Sequence, residues 1–131
     1  MKNKPNSNIM AAKLMAVISI LVLAFHFLIL FQIIPFAIVW AGKLKTTEEM
    51  YFFETLSIGL NVILLLTVLQ KSQLIKLIWS QKSTNIILWT FVVIFLLNTV
   101  GNLFSKSMLE LVLGTSLTAI SAILCWISVR K

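Results

Sequence analysis

Residues 46–70 read TTEEMYFFETLSIGLNVILLLTVLQ, and this stretch decides the fold. Between Met50 and Leu69 the only charged side chain is Glu54. The run is long enough to cross hydrocarbon, because a helix rising about 1.5 Å per residue needs roughly 20 apolar residues to span it. Its start is also marked. Thr46 and Glu49 stand three apart, the spacing at which a hydroxyl and a carboxylate satisfy the open N–H groups of a helix N-terminus. A spanning helix over 49–70 follows.

Outward from this stretch, windows 14–41, 84–104 and 108–129 meet the same length test. None keeps the two-residue alternation of a lipid-facing barrel strand. The expected architecture is one all-α membrane domain over 1–131, with four transmembrane helices in an up-down-up-down antiparallel bundle. Only Ser105, Lys106 and Ser107 separate the third and fourth windows, which must form a tight hairpin, and Ser107 and Glu110 repeat the capping spacing. The polar stretch 42–47 ties the first two windows in the same way. The connection 71–83 is longer, with Lys71, Lys76 and Lys82 set around Leu74, Ile75, Leu77, Ile78 and Trp79. That pattern predicts a short amphipathic helix lying in the membrane interface.

Composition agrees with lipid as the solvent. Of 131 residues 60% are hydrophobic and 11% charged, a balance that a water-soluble domain of this size could hardly keep dispersed. The formal charge of +7 comes from eleven Lys and Arg against four Glu. These charges sit at the ends of apolar runs and form no basic stripe, so nucleic acid is not an expected partner. Sorted by side, Lys2, Lys4, Lys13, Lys71, Lys76, Lys82, Arg130 and Lys131 oppose Lys43, Lys45 and Lys106. The positive-inside rule then puts both termini in the cytoplasm and the chain in the plasma (inner) membrane as a multi-pass protein. Trp40, Tyr51, Phe52 and Phe53 gather at the outer boundary, and Trp79, Trp89 and Trp126 near the inner one. The first apolar run is too long for a cleavable signal peptide, so it is read as a retained span.

Polar groups inside hydrocarbon are costly, and they carry the functional signal. Glu110 is accounted for as a capping residue. Glu54 lies about two turns inside its helix, beyond any capping role, and continues through Ser57 and Asn61 as one polar stripe. Asn98, Gly101, Asn102 and Ser105 form a second polar side on the third window. Matching depths suggest an outward-facing site with Glu54, Asn61, Asn98 and Asn102 as ligand-binding candidates and Gln32 as a further wall. Packing between helices is the competing explanation. His26, the only histidine, falls near the middle of 14–41, at a level where it could meet Asn61. Several ångströms of depth separate it from Glu54 on this reckoning, which weakens a proton relay between them. Pro35 is expected to kink the outer third of the first span. Gly114, Thr118, Ser121 and Cys125 make a small-residue seam on the fourth, suited to close approach of another helix of the bundle.

One cysteine allows no paired-thiol chemistry, and a lone histidine without a cysteine, an aspartate or a second histidine completes no metal site; no cofactor is expected. The sequence thus points to a nonenzymatic accessory or assembly protein whose partners are the lipid bilayer and either another membrane protein or a second copy. The alternative is a small transporter or ligand-binding membrane protein with its polar site around Glu54. A lipid-modifying enzyme using His26 and Glu54 is a third, weaker reading.

Overall fold

The computed structural model describes residues 7–36, 44–76 and 78–130. Four helical stretches are long and apolar enough to cross a membrane: α1 (Ser7–Leu30), α2 (Thr47–Lys71), α3 (Gln81–Leu103), and the continuous run Leu109–Val129 made of a π-helical segment, Leu109–Gly114, and α4 (Thr115–Val129). No strand occurs among the described residues.

Side-chain bonds at the helix ends establish the antiparallel order. The start of α1 meets the end of α4, where the Asn8 amide donates to the carbonyls of Ser128 and Arg130. The end of α1 meets the start of α2 through His26 and Glu54. Gln70, at the end of α2, donates to Thr84 near the start of α3, 2.8 Å away. Past the end of α3, the Ser105 hydroxyl donates to Glu110 in the π-helical segment at 2.7 Å. Helix α1 packs on α2 and α4, and α3 on α4; of the neighbouring pairs, α2 and α3 are the loosest.

The capping expected before α2 is present in full. Thr46 Oγ1 accepts from the N–H of Glu49, while the Glu49 carboxylate accepts from the N–H groups of Lys45 and Thr46. At Ser107 the arrangement differs. Its hydroxyl accepts from Glu110 N–H at 3.5 Å, but the Glu110 carboxylate accepts from the Ser105 hydroxyl.

Two expectations need correction. The first helix stops at Leu30, not 41. Gln32 adopts φ 62° and closes the helix by two backbone bonds, from its own N–H to Ile29 O and from Ile33 N–H to Leu28 O. This is a Schellman end, built on glutamine where glycine is usual. Pro35 therefore follows the helix and kinks nothing; Trp40 and the stretch 37–43 lie outside the described residues. The span is still long enough because it begins earlier, at Ser7.

The second correction concerns 71–83. No helix forms among the described residues between Ser72 and Ser80. Gln73, at φ 65°, ends α2 with the same pair of bonds, to Gln70 O and from Leu74 N–H to Leu69 O. The Gln70 side chain then holds the connection: its oxygen accepts from the N–H groups of Ile78 and Trp79, and its nitrogen donates to Trp79 O and Thr84 Oγ1. A buried amide that takes up the backbone groups of 78–79 leaves them unavailable for helical bonds.

The main core lies toward the ends where the termini meet, around Ala12, Met15, Leu64, Val68, Leu88, Phe91 and Cys125. A smaller cluster of Ile29, Leu44 and Met50, with Phe25, Phe53 and Leu109 against it, closes the other end on the α1–α2 side. Elsewhere the helices present large apolar side chains outward, among them Leu21, Leu97 and Ile123. In a bilayer these face acyl chains and need no further cover.

Candidate functional site

The sequence-predicted polar residues fall in the half of the bundle away from the termini, and a heptad relation orders them. Ser19, Val68, Phe91 and Cys125 are buried in their four helices. One heptad toward the other end, on nearly the same helix face, stand His26, Asn61, Asn98 and Thr118. All four are polar. His26, Asn61 and Thr118 are only half-buried, and Asn98 is exposed. At this level the four helices thus exchange fully buried positions for polar side chains that are only partly covered.

Within this region Glu54 is the fully buried acid, 0% exposed, and its Oε1 lies 2.7 Å from His26 Nδ1, whose side chain is 17% exposed. The depth separation expected between them does not exist. It followed from running the first span to residue 41; with the helix ending at Leu30, His26 sits about 6 Å of helical rise from that end, while Glu54 sits about 10 Å into α2. Phe25 stands edge-on to the His26 ring, with centroids 6.0 Å apart. A buried carboxylate held by the imidazole avoids the cost of lying unpaired in a low-dielectric interior.

The other candidates divide between settings. Asn61 does not turn to His26; its amide donates to the Ser57 carbonyl of its own helix at 2.9 Å. Asn102 lies against α4, where a Cβ added at Gly114 would come within 3.0 Å of its amide, and its nitrogen is 3.5 Å from Thr118 Oγ1. Thr118 also takes the Thr99 hydroxyl at 2.8 Å, so the small-residue seam of α4 is used inside this bundle. Gln32 is exposed on the loop after α1 and donates to the Tyr51 hydroxyl at 3.1 Å. Asn98 is exposed. Structure thus joins His26 to Glu54 and Asn102 to Thr118, while Gln32 is drawn off to the rim.

Two features had little signature in the sequence. Gln70 reads as an ordinary polar residue at a span's end, and its clamp depends on a chain reversal that no local pattern encodes. The π-helical segment has one trace, Gly114, whose missing side chain lets the Asn102 amide seat against the widened turn. Among the described residues no group of three His, Cys, Asp or Glu is placed to hold a metal ion.

Comparison with protein-family models, with curated proteins and with solved structures gives no match. The fold and the polar half of the bundle define the class, a small all-helical protein with four helices compatible with membrane spanning.

Proposed function

We propose that the chain is a nonenzymatic accessory protein of the plasma membrane, crossing it four times with both termini in the cytoplasm, and that it receives a membrane partner between α2 and α3 in the outer half. The observation that carries this reading is Asn98: it continues the helix face of buried Phe91, yet it is exposed. An amide in that position gains a hydrogen bond worth about 0.6–2 kcal/mol when another helix brings a polar partner. The loose α2–α3 side provides the approach. His26 is engaged with Glu54, and Thr99 and Asn102 with Thr118, which suits an architectural role.

Photo-crosslinking from position 98 in membranes tests this. A discrete adduct from 98, absent from lipid-facing position 93 and weakened when the neighbouring Asn102 is kept but α2 is altered at Asn61→Leu, is the expected outcome. A chain that purifies alone from mild detergent, with no adduct from 98, would sink the proposal. Cysteine labelling in a Cys125→Ser background checks orientation: position 45 should react from outside the cell and position 83 only after permeabilisation.

A second reading rests on the 17% exposure of His26, which gives the His26–Glu54 pair access to the same polar space. It makes the pair a proton-responsive element of a ligand-binding site or small transporter. Loss of a pH-dependent ligand phenotype in a folded Glu54→Gln variant would favour it over the accessory role. The enzyme reading no longer suffers from a depth mismatch, but it names only an acid–base pair and no substrate position.

A further inference from the structure

The His26 ring has two nitrogens, and the fold engages only one of them. Nδ1 lies 2.7 Å from Glu54 Oε1. A carboxylate accepts and does not donate, so it keeps the imidazole proton on Nδ1 and leaves the lone pair on Nε2. That second nitrogen has no hydrogen-bond partner among the described residues, yet it is not sealed away from all contact as Ser19 Oγ and Asn85 Oδ1 are. A buried acid thus orients an accessible acceptor.

The access is on the inward side of α1. Ala12, Ser19 and His26 follow one another by heptads along one helix face, and the first two are 0% exposed while the His26 side chain is 17% exposed. The walls nearby are apolar: Phe25 stands edge-on to the imidazole, and Phe25, Phe53 and Leu109 pack on Ile29 and Met50 in the cluster that closes this end. One hydrogen-bonding atom among aromatic and aliphatic side chains suits a mostly apolar ligand with a single polar handle. Charge narrows the handle. The lysines of the helices, Lys13, Lys71 and Lys82, all stand toward the opposite end, so an anion finds no partner here. A cation would compete with the imidazole for Glu54. A neutral donor fits, and the simplest is a hydroxyl.

We propose that His26 Nε2 binds the hydroxyl of a neutral, membrane-soluble molecule, either a phenol with an apolar tail or a lipid alcohol. The hydroxyl donates to Nε2, Glu54 fixes the ring from its other side, and the apolar body lies against Phe25. This deepens the ligand-binding reading of the His26–Glu54 pair and does not depend on docking at Asn98.

His26 is the only histidine, so ¹⁵N-imidazole labelling of the full chain gives a single Nε2 resonance. The test places the chain in discs of phosphatidylcholine, which carries no hydroxyl, and adds an alkyl hydroquinone, a monoacylglycerol or the O-methyl ether of either. A hydroxyl probe should move the Nε2 resonance upfield and saturably, because the lone pair accepts its proton, while the matching ether should not. A response to the hydroquinone alone marks a phenolic ligand, and one to the monoacylglycerol alone a lipid alcohol. No displacement by either, or equal displacement by the ethers, overturns the site. In native mass spectrometry His26→Phe should retain the active probe about tenfold less than wild type, the loss of one hydrogen bond, and Gln32→Ala should retain it unchanged. Equal retention by His26→Phe also overturns the site. Silence at Nε2 with the crosslink from position 98 intact defeats this proposal and spares the accessory reading; a response at Nε2 without that crosslink does the reverse.

Discussion

Gln32 and Gln73 occupy the same position in two different helix ends: each is the left-handed residue whose own N–H and following N–H close the last turn, of α1 and α2 respectively. Both helices therefore stop through a backbone geometry that glycine adopts without penalty and that a Cβ opposes.

Gln73→Gly should accordingly stabilise the protein by about 0.5–1 kcal/mol, and Gln73→Val should destabilise it by more than that, since a β-branched residue tolerates this conformation worst. Gln32→Gly should gain less, because it also gives up the bond to Tyr51. Unfolding in mixed micelles by added denaturing detergent reads the differences.

The His26–Glu54 contact joins two helices, so the two residues should be energetically coupled. Glu54→Leu removes the partner of the half-buried His26 ring, and His26→Leu removes one partner of the buried Glu54 side chain; each should cost about 1–3 kcal/mol. The double variant should cost less than the sum, by about 1–2 kcal/mol. Additive losses in the same micelle assay would mean that the pair does not act as one unit. Glu54→Gln keeps an acceptor for His26 Nδ1 and should be the mildest of the replacements.

Gly114 and Asn102 should also be non-additive, for a steric reason. A Cβ at 114 would meet Asn102 side-chain atoms at 3.0–3.1 Å, so Gly114→Ala forces the amide aside, and Gly114→Leu should cost about 1–3 kcal/mol by overpacking the α3–α4 contact. Asn102→Ala combined with Gly114→Ala should recover most of the loss. Failure of the second change to help would place the strain in the π-helical turn itself.

Removing the Gln70 amide should loosen the connection to α3 while the spans persist. Gln70→Leu strips the acceptor from the N–H groups of Ile78 and Trp79 and the donor from Trp79 O and Thr84. Amide hydrogen exchange at 78 and 79 should accelerate by about an order of magnitude or more, as local opening loses roughly 1–3 kcal/mol of protection. Gln70→Glu keeps the acceptor and loses the donors, so it should fall between wild type and Leu, with protection at 78 and 79 partly retained.

Much of this architecture was legible in the chain because lipid imposes a simple rule. Every backbone polar group in hydrocarbon must be satisfied within its own segment, so an apolar run of sufficient length is a helix whatever surrounds it. The number of helices, the antiparallel order and the Thr46–Glu49 cap follow from that rule and from short connections. The end of α1 did not follow, because nothing in the apolar run from Phe31 to Val39 forbids helix before Pro35; only the left-handed Gln32, held by bonds to Leu28 and Ile29, ends it. That one boundary moved His26 from mid-span to the level of Glu54. Likewise the lysines and Trp79 of the second connection have the composition of a surface helix, but the amide of Gln70 binds the backbone that such a helix would need.

The sequence by itself determined four helices long and apolar enough to cross a membrane, with an acid inside the second, since hydropathy and length act locally and require no knowledge of neighbours. Tertiary structure alone decided which polar groups meet: Glu54 finds His26, Asn102 finds Gly114 and Thr118, and Asn98 is left open. The physical reason is that pairing in a membrane depends on matched depth and facing angle between helices, and both are set by where each helix begins and stops.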